Sequence, residues 1–285
     1  MNHQDAFKTV TVSLEQLHRA LEVGRNEIIE RQLQITATFH RYSFNNVMLI
    51  AKQFPNATLV AGFHAWKTRG RWVKAGEQGI AILAPIVNRR EREICSQDAQ
   101  PSNLSEESVM GFRIVYVFDI SQTDGEPIAE HPPILGNPGR NLDALVRVFE
   151  VLSIRVEFVN LPGNVQGYSL GGEVRIQREL DDASLFRVMV HELAHELLHR
   201  TIRPTRENQP LLETEAEAVG FVVASACGVL CLERSANYIA LHQGDTTLLA
   251  ESLCKIQKTS SKIIGLIESQ VSAMDEQPAQ SGHAA

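Results

Sequence analysis

A chain of 285 residues with 44% hydrophobic content is long enough for one large or two ordinary domains with real cores. Its longest apolar run, Ala218 to Leu232, is interrupted by Ser225 and too short to cross a bilayer, and Met1 to Val12 is polar, so a cytoplasmic protein without signal peptide or membrane partner is expected. The net charge of −7 is unevenly spread: residues 1–120 carry 14 Lys/Arg and 12 Asp/Glu, whereas 121–285 carry 13 and 22. Within 41–90, eight basic residues face Glu77 alone, which is a candidate polyanion footprint.

In chain order, Ser13 with Gln16 reads as a capping box that opens a helix through Leu14, Leu17, Leu21, Ile28 and Ile29. A second helix is expected from Ser43 to Phe54, ended by Pro55, then a short strand over Thr58 to Ala61. Phe63 to Arg69 reads as a helix with Gly70 at its C-cap, and Ile80 to Ile86 and Phe112 to Ile120 read as paired strands, with an irregular loop, Arg89 to Met110, between them. Ser121 to Arg140 is rich in Gly and Pro and reads as a linker. Leu142 to Leu152 is expected to be helical, Arg155 to Val159 a strand, Gly171-Gly172 a hairpin turn, and Val174 to Ile176 a strand that could edge a cleft. Helices are expected at Ala183 to Arg200, capped by Asp181 or Asp182, at Leu211 to Leu232, at Ser235 to Leu241 and at Asp245 to Val271. Cys95, Cys227, Cys231 and Cys254 show no metal-binding pairing and read as packed thiols.

The strongest chemical signal is His191-Glu192-Leu193-Ala194-His195. Residues four apart share a helix face, so the two imidazoles can close on one Zn²⁺, and Glu192 is placed to take a proton from water that the ion polarises. The longer extension that would supply a third His is absent, since Leu198 and Thr201 stand where Gly and His are needed. A glutamate from the next helix is the natural third ligand: Glu213 and Glu217 share a face, and Glu215 points away from them. The reading assigns Glu213 as ligand and Glu217 as the group that orients a ligating histidine from behind. His199 reads as a helix-end residue, and Tyr168 and His199 are candidates for a second electrophile. This pattern with Glu213-Thr214-Glu215-Ala216-Glu217 resembles the ImmA/IrrE group of zinc metallo-endopeptidases, with Glu217 where that family usually carries Asn or Asp.

From Tyr42 to Lys74 aromatic and basic residues interleave, a pattern that serves either single-stranded nucleic acid or the core and solvated face of a small domain. The stretches Asn45 to Ile50 and Gly62 to Ile80, with Trp66 to Gly70 and Val73 to Gly79, resemble the N-terminal domain of ArdC-like antirestriction proteins. That resemblance implies a domain that binds single-stranded DNA, followed by a zinc-metalloprotease-like domain. Lys67, Arg69, Arg71, Trp72 and Lys74 are the candidate DNA contacts.

The expectation is thus an α+β protein: a small basic α+β domain over 1–120, a linker over 121–140, a mainly helical zincin-like (gluzincin) metallopeptidase domain over 141–274, and a disordered tail over 275–285. It would cleave a protein or peptide substrate with Glu192 as base and Zn²⁺ held by His191, His195 and Glu213. The competing expectation is a non-proteolytic antirestriction protein that shields single-stranded DNA and carries a structural or vestigial metal site.

Overall fold

The structure, a computed structural model, describes residues 1–87, 109–127, 136–229, 241 and 246–276. It is mixed α+β, and its contacts gather into two compact units, 1–131 with 242–254 and 132–241 with 255–285. Among the described residues no helix is long and apolar enough to cross a membrane. The expected loop at 89–110 for the most part, the helix at 235–241 for the most part, Cys95, Cys231 and the tail beyond Glu276 lie outside the described residues.

In the first unit, α1 (His3–Glu22) starts ten residues before the expected cap. Asn2 and Asp5 form the capping box, each side chain bonded to the other's backbone N–H, so Ser13 falls inside the helix. Gly24, at φ +73°, lets the chain turn into α2 (Asn26–Thr38) where one continuous pattern had been read. Next come α3 (Phe44–Gln53), β1 (Val60–Gly62), α4 (Phe63–Thr68) and β2 (Arg71–Val73). Strands β3 (Ile80–Val87) and β4 (Val109–Asp119) pair antiparallel, and β1 pairs on the other side of β4. Phe39, Val47, Ile50, Val60, Ile80, Ile82 and Val117 form the core beneath this sheet. Trp66 belongs to the buried set, with Nε1 donating to the Phe118 carbonyl at 2.8 Å.

Among the described residues, the outer edge of β3 is covered by side chains rather than by another strand. Asn46 of α3 donates to the Leu83 carbonyl at 2.9 Å and accepts from its N–H at 2.8 Å. Gln53, two turns on, does the same at Ala81, at 2.8 and 3.0 Å. Two amides on one helix face thus satisfy an edge that would otherwise need water or a partner strand. The stretch read as a linker begins structured: a 3₁₀ turn (Ile120–Gln122) leads into β5 (Thr123–Gly125), which pairs antiparallel with β2. Asp119 ties this turn to β1, accepting from the N–H groups of Thr58, Leu59 and Ser121.

In the second unit, α5 (Arg140–Val151) precedes β6 (Arg155–Val159), β7 (Gly167–Ser169) and β8 (Glu173–Gln177). β6 runs parallel and β7 antiparallel to β8, so β8 is the central strand and Val174 and Ile176 are fully buried. The edge position expected of Val174 to Ile176 therefore belongs to β7. The turn at Gly171 and Gly172, with φ of +80° and +105°, reverses the chain between them. Helices α6 (Asp182–Leu198) and α7 (Gln209–Ala226) follow, and α8 (Thr246–Glu276) belongs to this unit from Lys255 onward and to the first unit before it. α7 ends six residues short of the expected Leu232, at a Cys227 C-cap followed by Gly228 at φ +73°.

Replacing Asn46 by Ala strands the Leu83 N–H and C=O at a buried edge. The expected outcome is a loss of about 2 kcal/mol in folding stability, read from the urea midpoint, with the slope of the transition unchanged.

Candidate metal centre and nucleic-acid contacts

Helix α6 is held at its start by Asp181, whose carboxylate accepts from the Ser184 N–H at 3.0 Å and hydroxyl at 2.7 Å. Phe186, Met189, Val190, Leu193 and Ala194 bury one side of it. His191 and His195 fall one turn apart on the remaining face, with their Nε2 atoms 3.1 Å from each other. From α7, Glu213 Oε2 stands 3.5 Å from His191 Nε2 and 3.6 Å from His195 Nε2.

This triangle passes a direct test of fit. A tetrahedral ion with bonds of about 2.0–2.1 Å needs donors about 3.3 Å apart, and a point about 2.0 Å from all three atoms exists here without any movement. Among the described residues these are the three donors that meet, and they could hold a metal ion. Burial alone would pull the His191 imidazole down, but the adjoining Glu213 and Glu217 carboxylates outweigh it and carry it up to about 9. The hydrogen bonds to His191 and His195 hold the Glu213 carboxyl well below the usual range.

The other predicted groups fall around the triangle. Glu217 Oε2 lies 3.4 Å from His191 Nδ1, behind the ring. Glu192 is buried, and that burial pushes its carboxyl pKa up. It faces the backbone of Gly167 on β7, where an added Cβ would sit 2.7 Å from Val188 Cγ1 and 3.0 Å from Glu192 Oε1. Gly167, Tyr168, Ser169 and Gly171 line one wall of a cavity of about 410 Å³ that also contains His191, Glu192, His195 and Glu213. Tyr168 and His199 both reach this cavity.

Three contacts were not legible beforehand. Glu196, the residue after the motif, accepts from Ser169 Oγ at 2.6 Å and from the Gly171 and Gly172 N–H groups at 2.8 and 2.7 Å, clamping the hairpin turn to α6. His199 is the C-cap of α6, as its helix-end reading required, and its Nδ1 lies 3.0 Å from His195 Nδ1. Glu215, set aside as pointing away from Glu213 and Glu217, points instead at His199, with Oε2 3.0 Å from Nε2. The signal available in sequence was the alternation of three glutamates, 213, 215 and 217, in an otherwise apolar helix.

Of the candidate DNA contacts, Lys67, Arg69 and Trp72 face solvent, Trp72 being 57% exposed. Lys74 is exposed, with Nζ donating to the Ser121 carbonyl at 2.9 Å. Arg71 is not available for DNA. Its guanidinium is buried, donating from Nε to Thr123 Oγ1 at 2.8 Å, from Nη2 to the Thr123 carbonyl at 3.0 Å, and from Nη1 to the Gly125 and Glu126 carbonyls. It is the peg that fastens β2 to β5, and alternation along β2 turns its neighbour Trp72 outward. Phe63 and Tyr116, each 51% exposed, are further solvent-facing rings.

Two outcomes follow from this geometry. Binding a cation must displace the proton from a His191 whose pKa is raised above 6.5 to about 9, so apparent affinity should rise by up to about tenfold per pH unit and level off above about 9. A chelator-competition titration across that range checks the slope. Arg71→Ala should lower folding stability by about 3 kcal/mol in urea denaturation, because four acceptors lose a charged donor.

The family described as the N-terminal domain of anti-restriction factor ArdC matches residues 4–118. An uncharacterized protein of Bacillus anthracis, pXO2-81, is 26% identical over 282 residues, covering 85% of this chain. The chain spans about half the length of that relative, 48%. Among solved structures, the Mn(II)-bound crystal structure of the antirestriction protein ArdC from plasmid R388 aligns with a TM-score of 0.53 at 15% identity, over 92% of this chain and 97% of that one. Residues 4–118 thus match the family of the ArdC N-terminal domain, and the fold of the chain resembles that of the R388 ArdC protein.

Proposed function

We propose that this chain is an ArdC-like antirestriction protein whose first unit binds single-stranded DNA and whose second unit carries a divalent-cation site. The observation that carries the first half is the ArdC N-terminal match over residues 4–118. Solvent-facing Trp72, Phe63 and Tyr116 supply ring faces for bases, and Lys67, Arg69 and Lys74 supply charge for phosphates. In this reading incoming single strands are covered and so withheld from restriction.

The donor triangle supports the second half. His191, His195 and Glu213 would hold the ion, and two imidazoles with one carboxylate suit Zn²⁺ first and accommodate Mn²⁺, the ion named for the R388 ArdC crystal. One specific observation favours a further, hydrolytic reading: Glu192 is a buried carboxylate beside a three-donor set, as in zinc metallo-endopeptidases of the ImmA/IrrE type. A divalent cation, when bound there, would supply Lewis acidity. Glu192 would accept the proton of the attacking water and return it to the leaving amine. Glu217 holds the His191 ring, and the outer edge of β7 offers backbone groups to an extended peptide.

Fluorescence anisotropy with a labelled oligonucleotide tests the DNA half. Binding should weaken steeply with added salt, and Trp72→Ala should lower affinity by about 1–3 kcal/mol with no change in folding stability. Salt-insensitive binding, or none, would remove this reading. Glu192→Gln sorts the two roles: retained DNA protection means that shielding suffices, whereas loss of protection with DNA and cation binding intact would require hydrolysis.

A further inference from the structure

We propose that Glu215 and His199 are positioning residues that select the tautomer of His195 and so aim its Nε2 lone pair at the cation site. The inference rests on the cation-site reading above and deepens it. It starts from a chain of three contacts. Glu215 Oε2 is 3.0 Å from His199 Nε2, His199 Nδ1 is 3.0 Å from His195 Nδ1, and His195 Nε2 is the donor in the triangle. Both outer members are enclosed, His199 with 6% and Glu215 with 2% of the side chain exposed.

Each contact leaves one choice for the next. A carboxylate only accepts, so His199 carries its proton on Nε2. In the neutral form of His199 its Nδ1 is then a lone pair, which accepts from an Nδ1–H on His195. A neutral imidazole has one N–H, so His195 Nε2 is left bare toward the triangle. The opposite tautomer would place a proton where a cation must bind and would set two Nδ1 lone pairs 3.0 Å apart. Burying a carboxylate is costly unless it is bonded, and the compensation here is His199, with Lys255 Nζ 3.8 Å from the second oxygen.

The arrangement also accounts for three glutamates at alternate positions of α7. Glu213 reaches the ligand atoms, Glu217 stands directly behind His191, and Glu215 reaches His195 through an intervening imidazole. Each ligating ring is thereby held from its far side by a carboxylate from the same helix, the usual requirement for an oriented histidine ligand.

The test uses the full chain and zinc, with affinity read by competition against a chromophoric chelator. Glu215→Ala should bind zinc about 10–100-fold more weakly than wild type. Glu215→Gln should recover part of that loss, since its amide oxygen accepts the same bond. The double variant of His199→Gln with Glu215→Gln should be no weaker than His199→Gln alone, because the two act in series. A second readout needs no substitution: in ¹⁵N-histidine-labelled wild type, long-range ¹⁵N–¹H spectra should show His199 protonated on Nε2 and His195 on Nδ1. Unchanged zinc affinity in Glu215→Ala, or His199 protonated on Nδ1, would overturn the proposal while leaving the cation site standing. A wild type that takes up neither zinc nor manganese would overturn both together.

Discussion

Two imidazole nitrogens 3.1 Å apart, with a carboxylate oxygen 3.5 and 3.6 Å away, present lone pairs to one another and repel unless a proton or a cation lies among them. The second unit is built to hold them there. Helix α7 buries small residues, Ala216, Ala218 and Gly220 among them, and α6 buries Ala194. Small side chains let helices approach closely, and close approach is what brings a glutamate from one to the histidines of the other. The glycine at 167 extends the same logic to the sheet: with no side chain it lets β7 lie against Glu192.

The polar shell around that seam is ordered by hydrogen bonds that leave few alternatives. Glu196 accepts from two backbone N–H groups and a hydroxyl of the β7–β8 hairpin, so the cavity wall is hydrogen-bonded to the helix bearing the histidines. Glu217 and the Glu215–His199 pair stand on the far sides of the His191 and His195 rings. Three acidic residues that look redundant along the sequence thus make three different sets of contacts.

In the first unit the governing constraint is the satisfaction of backbone polar groups at strand edges. Asn46 and Gln53 finish the edge of β3, Asp119 gathers the N–H groups at the start of β1, and Arg71 takes up the carbonyls of β5 and the residue after it. These side chains are consumed by the fold. What remains outward, Trp72, Arg69 and Lys67 among them, faces solvent.

The sequence by itself determined the local pattern: α3, α4, β6 and α6 lie within a few residues of where periodicity, Pro55, Gly70 and Asp181 put them, and the four-residue histidine spacing dictated a shared face. Residues whose role depends on something distant in the chain were not legible. Ser13 and Gln16 satisfy a capping rule as well as Asn2 and Asp5 do, and the helix starts at the earlier pair because the apolar face continues back to Ala6 and Val10. Arg71 looks like any basic residue beside a tryptophan until β5, some fifty positions on, surrounds it. β7 is three residues long, too short to carry a period, and only pairing with β8 makes it a strand and an edge. Glu215 was read correctly as facing away from Glu213, but only the packing of α7 on α6 supplied what it faces. Spacing along one helix is a local geometric consequence of the backbone, whereas burial and hydrogen-bond partners across elements are settled when the elements pack.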